Sequence, residues 1–416
     1  PYYTRDGTGK GNRWPFFGGT LRGVREKLPY LKSLGVSAIY LNPIFEASSN
    51  HRYDTADYNT VDPLLGDETE FRALAGEAEK QGVRLILDGV FSHTGEDSIY
   101  FDRFGNYGGK GAYSGKSSPY YEWYTFKSED SQDEYECWWG IPDLPDVREM
   151  TPSYYDFLCG GKDSVVRRWL RLGASGWRLD VADELPDAFI RGIRAACREE
   201  KPDSVLVGEV WEDASNKISY GTRRSYFSGD ELQSVMNYPF REDMIAFLLG
   251  EISAEELALR MTGLMENYPP ENFYGTLNVI GSHDRARILT VLGGMPAGLS
   301  DGEKQNFCLN PEQLATGKKR MMLLSLLQFV SPGVPCIYYG DEAGVQGCED
   351  PYNRAPFPWG REDQELLSHY KRISALRRKY GILVSGSFEP GFFGTNVYAV
   401  TRSSPSGTER MTILVN

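Results

Sequence analysis

From residue 21 onward the chain alternates between two kinds of hydrophobic pattern. Stretches with apolar residues every three or four positions predict amphipathic helices over 21–34, 68–81, 164–172, 186–200, 254–266, 311–329 and 363–380. Between them, short apolar blocks predict strands over 37–42 (SAIYLN), 84–91 (RLILDGVF), 176–182 (GWRLDVA), 204–210 (SVLVGEV), 234–238, 274–281 and 335–340 (PCIYYG). Strands alternating with helices of this length predict parallel β-α units. Seven strands are one short of a closed (β/α)8 TIM barrel, and the first strand is expected upstream of residue 1, because 1–14 is polar and Gly-rich. Two more strands, over 396–401 and 411–415, predict the start of a C-terminal β-domain. The Tyr- and Trp-rich stretch 94–150 breaks the alternation after the third strand of the full barrel and is too long for a structureless loop, so an inserted subdomain is predicted there. The expected division is therefore a barrel over 1–93 and 151–382, a B-type insert over 94–150, and a β-sandwich domain beginning at 383–416.

The strand ends carry the chemistry. In GWRLDVADE (176–184), Arg178 and Asp180 stand two residues apart between Trp177, Leu179 and Val181. Alternate side chains of a strand share a face, so the arginine and the carboxylate look away from the apolar set. Burying them is costly unless that face lines a polar opening. Other strands end alike: Asn42, then Asp88 to His93, Glu209, His283 with Asp284, and Asp341 with Glu342. In an α/β barrel the carboxyl ends of the strands share one face, where residues from several strands do the chemistry.

Composition narrows the partners. The net charge of −13 argues against nucleic acid or an anionic membrane, and no apolar run is long enough to span a bilayer. Six scattered cysteines without a CxxC spacing read as reduced thiols, which favours a cytoplasmic over a secreted setting. There is no nucleophile elbow, no phosphate-binding Gly-rich loop and no HExxH, so no cofactor or metal is expected. What remains is a set of carboxylates with histidines and an arginine. Two carboxylates facing one bond, one ionised and one protonated, suit cleavage of a glycosidic linkage.

Seven ordered segments resemble the α-amylase family (glycoside hydrolase family 13), and most closely its neopullulanase/cyclomaltodextrinase branch. They are SSNHRYDTADYNTVDP (48–63), LDGVFSHTG (87–95), WWGIPDLPDV (138–147), GWRLDVADE (176–184), GEVWEDA (208–214), NVIGSHDRAR (278–287) and DPYNRAPFPWG (350–360). The resemblance runs from about 16 to 380 and implies a retaining α-glucan hydrolase acting on maltooligosaccharides, cyclodextrins, pullulan or starch. It implies Asp180 as nucleophile, Glu209 as acid and then base, and Asp284 as the carboxylate on the distorted sugar's hydroxyls. Arg178 would keep Asp180 ionised, His93 and His283 would bond the same ring's hydroxyls, Tyr53 would stack beneath it, and Asp88 would brace Arg178. Asp350 and Arg354 would touch the next sugar on the non-reducing side, and Trp211 and Glu184 the leaving-group side.

Two departures bear on metal content. Many relatives have Asn where this chain has Ser92, and Lys-His where it has Asp183-Glu184; that Asn and His help hold a structural calcium, so none is predicted here. Dimerisation in close relatives uses an N-terminal β-domain that this sequence does not include. Taken singly, the residues also have plain readings: Arg178–Asp180 as a structural ion pair, Tyr53 and Trp211 as core, Asp350 and Arg354 as each other's partners. A transglycosylase or an α-1,6-glucosidase would use the same trio, and a non-catalytic sugar-binding relative would be expected to lack one of the three carboxylates.

Overall fold

Thr20 starts the first helix, Leu21–Leu34: its hydroxyl accepts the Gly23 N–H at 3.0 Å, and Gly35 ends the helix in the left-handed conformation, φ 92°. Such capped helices alternate with strands through the computed structural model, which describes residues 15–128 and 132–416. The polar stretch 1–14, expected to follow an upstream strand, lies outside the described residues. The chain divides into two units, one of residues 16–210 and 214–233, the other of 211–213 and 234–416.

In the first unit, β1 (Ala38–Leu41), β4 (Arg84–Gly89), β5 (Gly176–Leu179) and β6 (Val205–Gly208) are parallel neighbours in that order. An antiparallel hairpin, β2 (Phe45–Ala47) and β3 (Thr55–Val61), follows β1. The register sets Asp88 opposite Arg178 and Leu179 opposite Gly208. Gly176 permits the close approach of β5 to β6, since a Cβ there would meet Val205 O at 2.2 Å. Trp177 packs on Phe45 and Phe91, and Phe45 packs in turn on Trp169 of the helix Val165–Arg171. Each of these buried side chains contributes about 1.5–3 kcal/mol by leaving water.

The described residues of 94–150 form short helical turns and isolated bridges around an aromatic cluster of Tyr100, Phe101, Trp123, Tyr124 and Tyr135. One bridge joins His93 to Asp146 and so fixes the end of the segment that follows β4.

The second unit holds β7 (Ser234–Val235), β8 (Leu277–Val279) and β9 (Val334–Cys336), with β8 and β9 parallel. Helices Ala254–Asn267, Pro311–Val330 and Gln364–Lys379 start at Ser253, Asn310 and Asp363, each accepting first-turn N–H groups. Three antiparallel strands close the chain: β10 (Ser387–Phe393), β11 (Val397–Ser403) and β12 (Arg410–Val415). Buried Arg402 donates to the carbonyls of Val330, Leu383, Gly386 and Ser387, tying this sheet to the preceding helices.

All seven predicted strands are present, most of them shorter than expected. The fifth predicted strand is two residues long and gives way to a helix, Tyr238–Leu249, that the pattern does not announce. That helix buries Tyr238, Phe240, Arg241, Met244, Ile245 and Phe247 on several sides, which blurs its period. Likewise 274–281 opens with the end of a helix, Pro270–Gly275, before β8. β5 ends at Leu179 instead of 182, because Val181 turns into the left-handed region at φ 41°. β10 went unpredicted, its strand character masked by Pro390 and Gly391.

Candidate active site

β5 delivers Arg178 into a buried cluster of acids. Its Nη1 donates to Asp88 Oδ1 at 2.8 Å and to Asp180 Oδ1 at 2.7 Å. Its Nη2 lies 2.8 Å from Glu209 Oε2 as an ion pair without hydrogen-bond alignment. Glu209 Oε2 also accepts the Val181 N–H at 2.9 Å, which is what the left-handed turn at Val181 achieves. The side chains of Arg178 and Asp88 are 1% and 0% exposed; those of Asp180 and Glu209 open slightly more, at 11% and 6%.

One cation thus faces three carboxyls. Burial raises the Asp180 pKa well above its ordinary value; Arg178 pulls it down, and Glu209 and Asp88 push it up again. The guanidinium acts in the expected direction, toward the ionised form of Asp180, and burial acts against it. Asp88 is raised for the same first reason. Burial thus holds both Asp88 and Asp180 above the ordinary carboxylate range, against the pull of the one guanidinium.

Tyr53 is set by the loop before it. The Asp54 carboxylate accepts the N–H groups of Ser48 and Ser49, and Arg52, at φ 63°, reaches Asp62 at 2.7 Å. The Tyr53 hydroxyl then donates to Asp88 Oδ2 at 2.9 Å. His93 has both ring nitrogens engaged, Nδ1 with Ser92 Oγ and Nε2 with the Tyr53 carbonyl, each at 3.0 Å. Burial lowers its pKa to about 4, so it is neutral, and the carbonyl partner puts the proton on Nε2. In this structure His93 steadies Tyr53.

Glu184 sits farther along the same turn. Its Oε1 accepts from Trp139 Nε1 and from the Tyr220 hydroxyl, both at 2.8 Å. Both aromatics are 76% exposed, and both hold positive φ, 49° and 50°. Neighbouring Asp183 pairs with Lys217 at 3.1 Å and accepts the Tyr226 hydroxyl at 2.6 Å. Ser92 and Glu184, which stand where the resemblance puts the calcium-holding Asn and His, are both engaged with protein partners, as is Asp183.

The second unit carries the remaining residues. His283 Nε2 lies 3.1 Å from Asp284 Oδ2, and Arg354 Nη2 lies 3.9 Å from Asp284 Oδ1. Arg354 also pairs with Asp350 at 3.0 Å and donates to the His283 carbonyl. Asp284 is the more open carboxylate, its side chain 30% exposed. Tyr238 stacks on Trp211 at 4.2 Å, and Arg285 lies 4.4 Å from the Trp211 ring centre, so part of the expected sugar platform is already covered.

Sequence reasoning missed three contributors. Tyr40 donates to Asp88 Oδ2 at 2.6 Å, and its ring lies 5.7 Å from the Arg178 guanidinium. Buried Asn353 donates to the carbonyls of His283 and Arg285, fixing the backbone around Asp284. Trp139 was noticed only as part of a motif. Nothing in the sequence sets Tyr40 apart from a core aromatic of its strand.

Comparison with known proteins adds an independent line. The family described as "Alpha amylase, catalytic domain" matches residues 2–359. An amylopullulanase of Thermoanaerobacter thermohydrosulfuricus is 42% identical over 98% of this chain and 28% of its own length. Neopullulanase 2 of Thermoactinomyces vulgaris is 36% identical over 93% of this chain and 61% of its own. Among solved structures, a cyclic α-maltosyl-(1→6)-maltose hydrolase from Arthrobacter globiformis superposes with a TM-score of 0.84 at 29% identity, covering 98% of this chain and 84% of that one. The chain thus spans just over a quarter of the length of the first of these curated relatives and about three fifths of the second.

Proposed function

The chain belongs to the α-amylase family, whose fold is a (β/α)8 barrel with a C-terminal β-domain, and on that premise we propose that it is a retaining α-glucan hydrolase. One observation carries the reading: Asp180 and Glu209 stand at 2.7 and 2.8 Å from the two terminal nitrogens of the single Arg178 guanidinium. A retaining pair needs its carboxyls about 5–5.5 Å apart, a gap on the scale of one such bridging group.

In the proposed cycle Asp180 Oδ attacks the anomeric carbon while Glu209 gives its proton to the departing glycosidic oxygen. The C–O bond to the leaving sugar breaks as the bond to Asp180 forms. Glu209, now ionised, takes a proton from water, and the hydroxide released in that transfer displaces Asp180 and restores the anomeric configuration. Asp284, with His283, would hold the hydroxyls of the distorted ring, and Tyr53 would lie beneath it. Asp350 and Arg354 would meet the next sugar, and Trp211 and Glu184 the leaving-group side.

We assign the barrel to 1–93 and 151–382, the insert to 94–150 and the β-domain to the residues from 383. The names of the relatives support substrates among starch-type glucans, pullulan and cyclic maltooligosaccharides. The six free thiols support a reducing, cytoplasmic setting, and among the described residues no helix is long and apolar enough to cross a membrane. Ser92, Asp183 and Glu184 support a reading without calcium at the barrel–insert position.

A second reading, glycosyl transfer or α-1,6 cleavage by the same carboxyls, is favoured by the exposed Trp139–Tyr220 pair on Glu184. That pair offers apolar surface on which an acceptor sugar could displace water. The test is to incubate the full-length protein with maltotriose, pullulan and a cyclodextrin, following the anomers by NMR. The α-anomer should appear first. An initial β-anomer, or no cleavage of any of the three, would overturn the proposal, and products longer than the substrate would decide for transfer.

A further inference from the structure

Asp88 has an unusual set of partners for a residue that touches no substrate in the scheme above. Oδ1 accepts Arg178 Nη1 at 2.8 Å, while Oδ2 accepts two phenol hydroxyls, Tyr40 at 2.6 Å and Tyr53 at 2.9 Å. A carboxylate oxygen offers about two acceptor positions. Both positions on Oδ2 are filled and Oδ1 keeps one beyond Arg178, so each phenol donor favours the anionic form and losing Tyr40 would ease protonation of Asp88.

Retaining cleavage needs one proton among these carboxyls, and where it resides decides the chemistry. Asp88 divides the Arg178 charge with Asp180 and Glu209. If Asp88 took the proton, the undivided guanidinium charge would fall on the other two carboxyls. Both would then ionise at lower pH, and the acid required for leaving-group departure would be lost sooner.

We infer that Tyr40 is a positioning residue that keeps Asp88 anionic, so that the proton the reaction needs lies with the Asp180–Glu209 pair. The inference rests on the reading above that this pair carries the glycosyl transfer. The groups facing Asp88 within this unit are Tyr40 from β1, Tyr53 from the loop before β3, Arg178 from β5, and Asp180 and Glu209 just beyond the ends of β5 and β6. His93 reaches the set only through the Tyr53 carbonyl. Burial holds the Tyr40 phenol protonated well above its usual range, so it acts as a fixed donor. Tyr53 donates to the same oxygen but is also assigned to the sugar, which makes Tyr40 the cleaner probe.

The experiment compares the pH dependence of kcat and kcat/KM on maltotriose for wild type, Y40F, D88N and Y40F/D88N, with melting curves to verify folding. Phenylalanine keeps the ring against Arg178 and removes only the donor. For Y40F the basic limb should fall about 0.5–1 pH unit lower, and kcat on that limb should drop about threefold to tenfold with KM within about twofold. D88N should show the lowered limb already, and adding Y40F to it should move the limb no further. A Y40F limb unmoved from wild type, or one shifted equally in both backgrounds, would overturn the inference. If D88N does not fold, the Y40F limb alone decides. Failure of the underlying reading shows differently, as a wild type that cleaves no α-glucan or a D180N variant with undiminished turnover.

Discussion

Each unit of the molecule buries an arginine beside the carboxyl end of a strand, and the two arginines have different company. Arg178 meets three carboxyls, with Tyr40 alongside. Arg287 meets one, Asp341 Oδ1 at 3.2 Å, with the rings of Tyr338 and Tyr339 at 4.1 and 4.6 Å from its guanidinium carbon and the Tyr339 carbonyl as a further acceptor. Both arginines are essentially inaccessible. Arg287 meets a single carboxyl and is enclosed by aromatics, which is what a structural tie needs. The Arg178 group carries more negative charge than its cation can neutralise and stands beside slightly open carboxyls. That imbalance is costly for stability and useful for moving protons.

The largest expected effect separates the two arginines. R178M should lower kcat by about a thousandfold or more, because it removes the group that aligns Asp180 and Glu209, and should cost ~3–5 kcal/mol of stability. R287M should cost a similar amount of stability yet leave kcat of the folded fraction within about twofold. Equal losses of kcat in the two folded variants would erase the distinction.

A smaller effect is pH-dependent stability at Asp341. Burial lifts its folded pKa to about 7 against the opposing pull of Arg287. The folded state therefore holds a proton that the unfolded chain releases near pH 4, and stability falls as pH rises from about 4 to about 7, by ~1.4 kcal/mol per unit of displacement. Above the folded value the loss is complete. D341N lacks this titration, so its melting temperature should gain on wild type between pH 5 and pH 8. A gap independent of pH would show that Asp341 is ionised throughout.

Much of this layout was legible in the sequence, and particular residues show why. Arg178 and Asp180 at alternate positions of an apolar strand announced a polar face, and the recurrence of Asp, Glu and His at other strand ends announced where it lay. Tyr40 was not legible: an aromatic within an apolar strand block looks like core, and only the cross-strand register reveals that its hydroxyl meets Asp88. The helix Tyr238–Leu249 was missed because residues buried on several sides leave no polar stripe to mark its period. Asn353 was invisible for another reason. Its work is done on backbone carbonyls some seventy residues earlier, and no local pattern encodes such a contact.

The most direct measurement is covalent trapping. The protein would be treated with a fluorinated α-glucosyl fluoride, whose intermediate turns over slowly, then digested and read by mass spectrometry. A single glycosyl adduct on Asp180 is predicted. An adduct on Glu209 or Asp284, or steady hydrolysis of the reagent with inverted stereochemistry and no adduct, would contradict the assignment of the nucleophile.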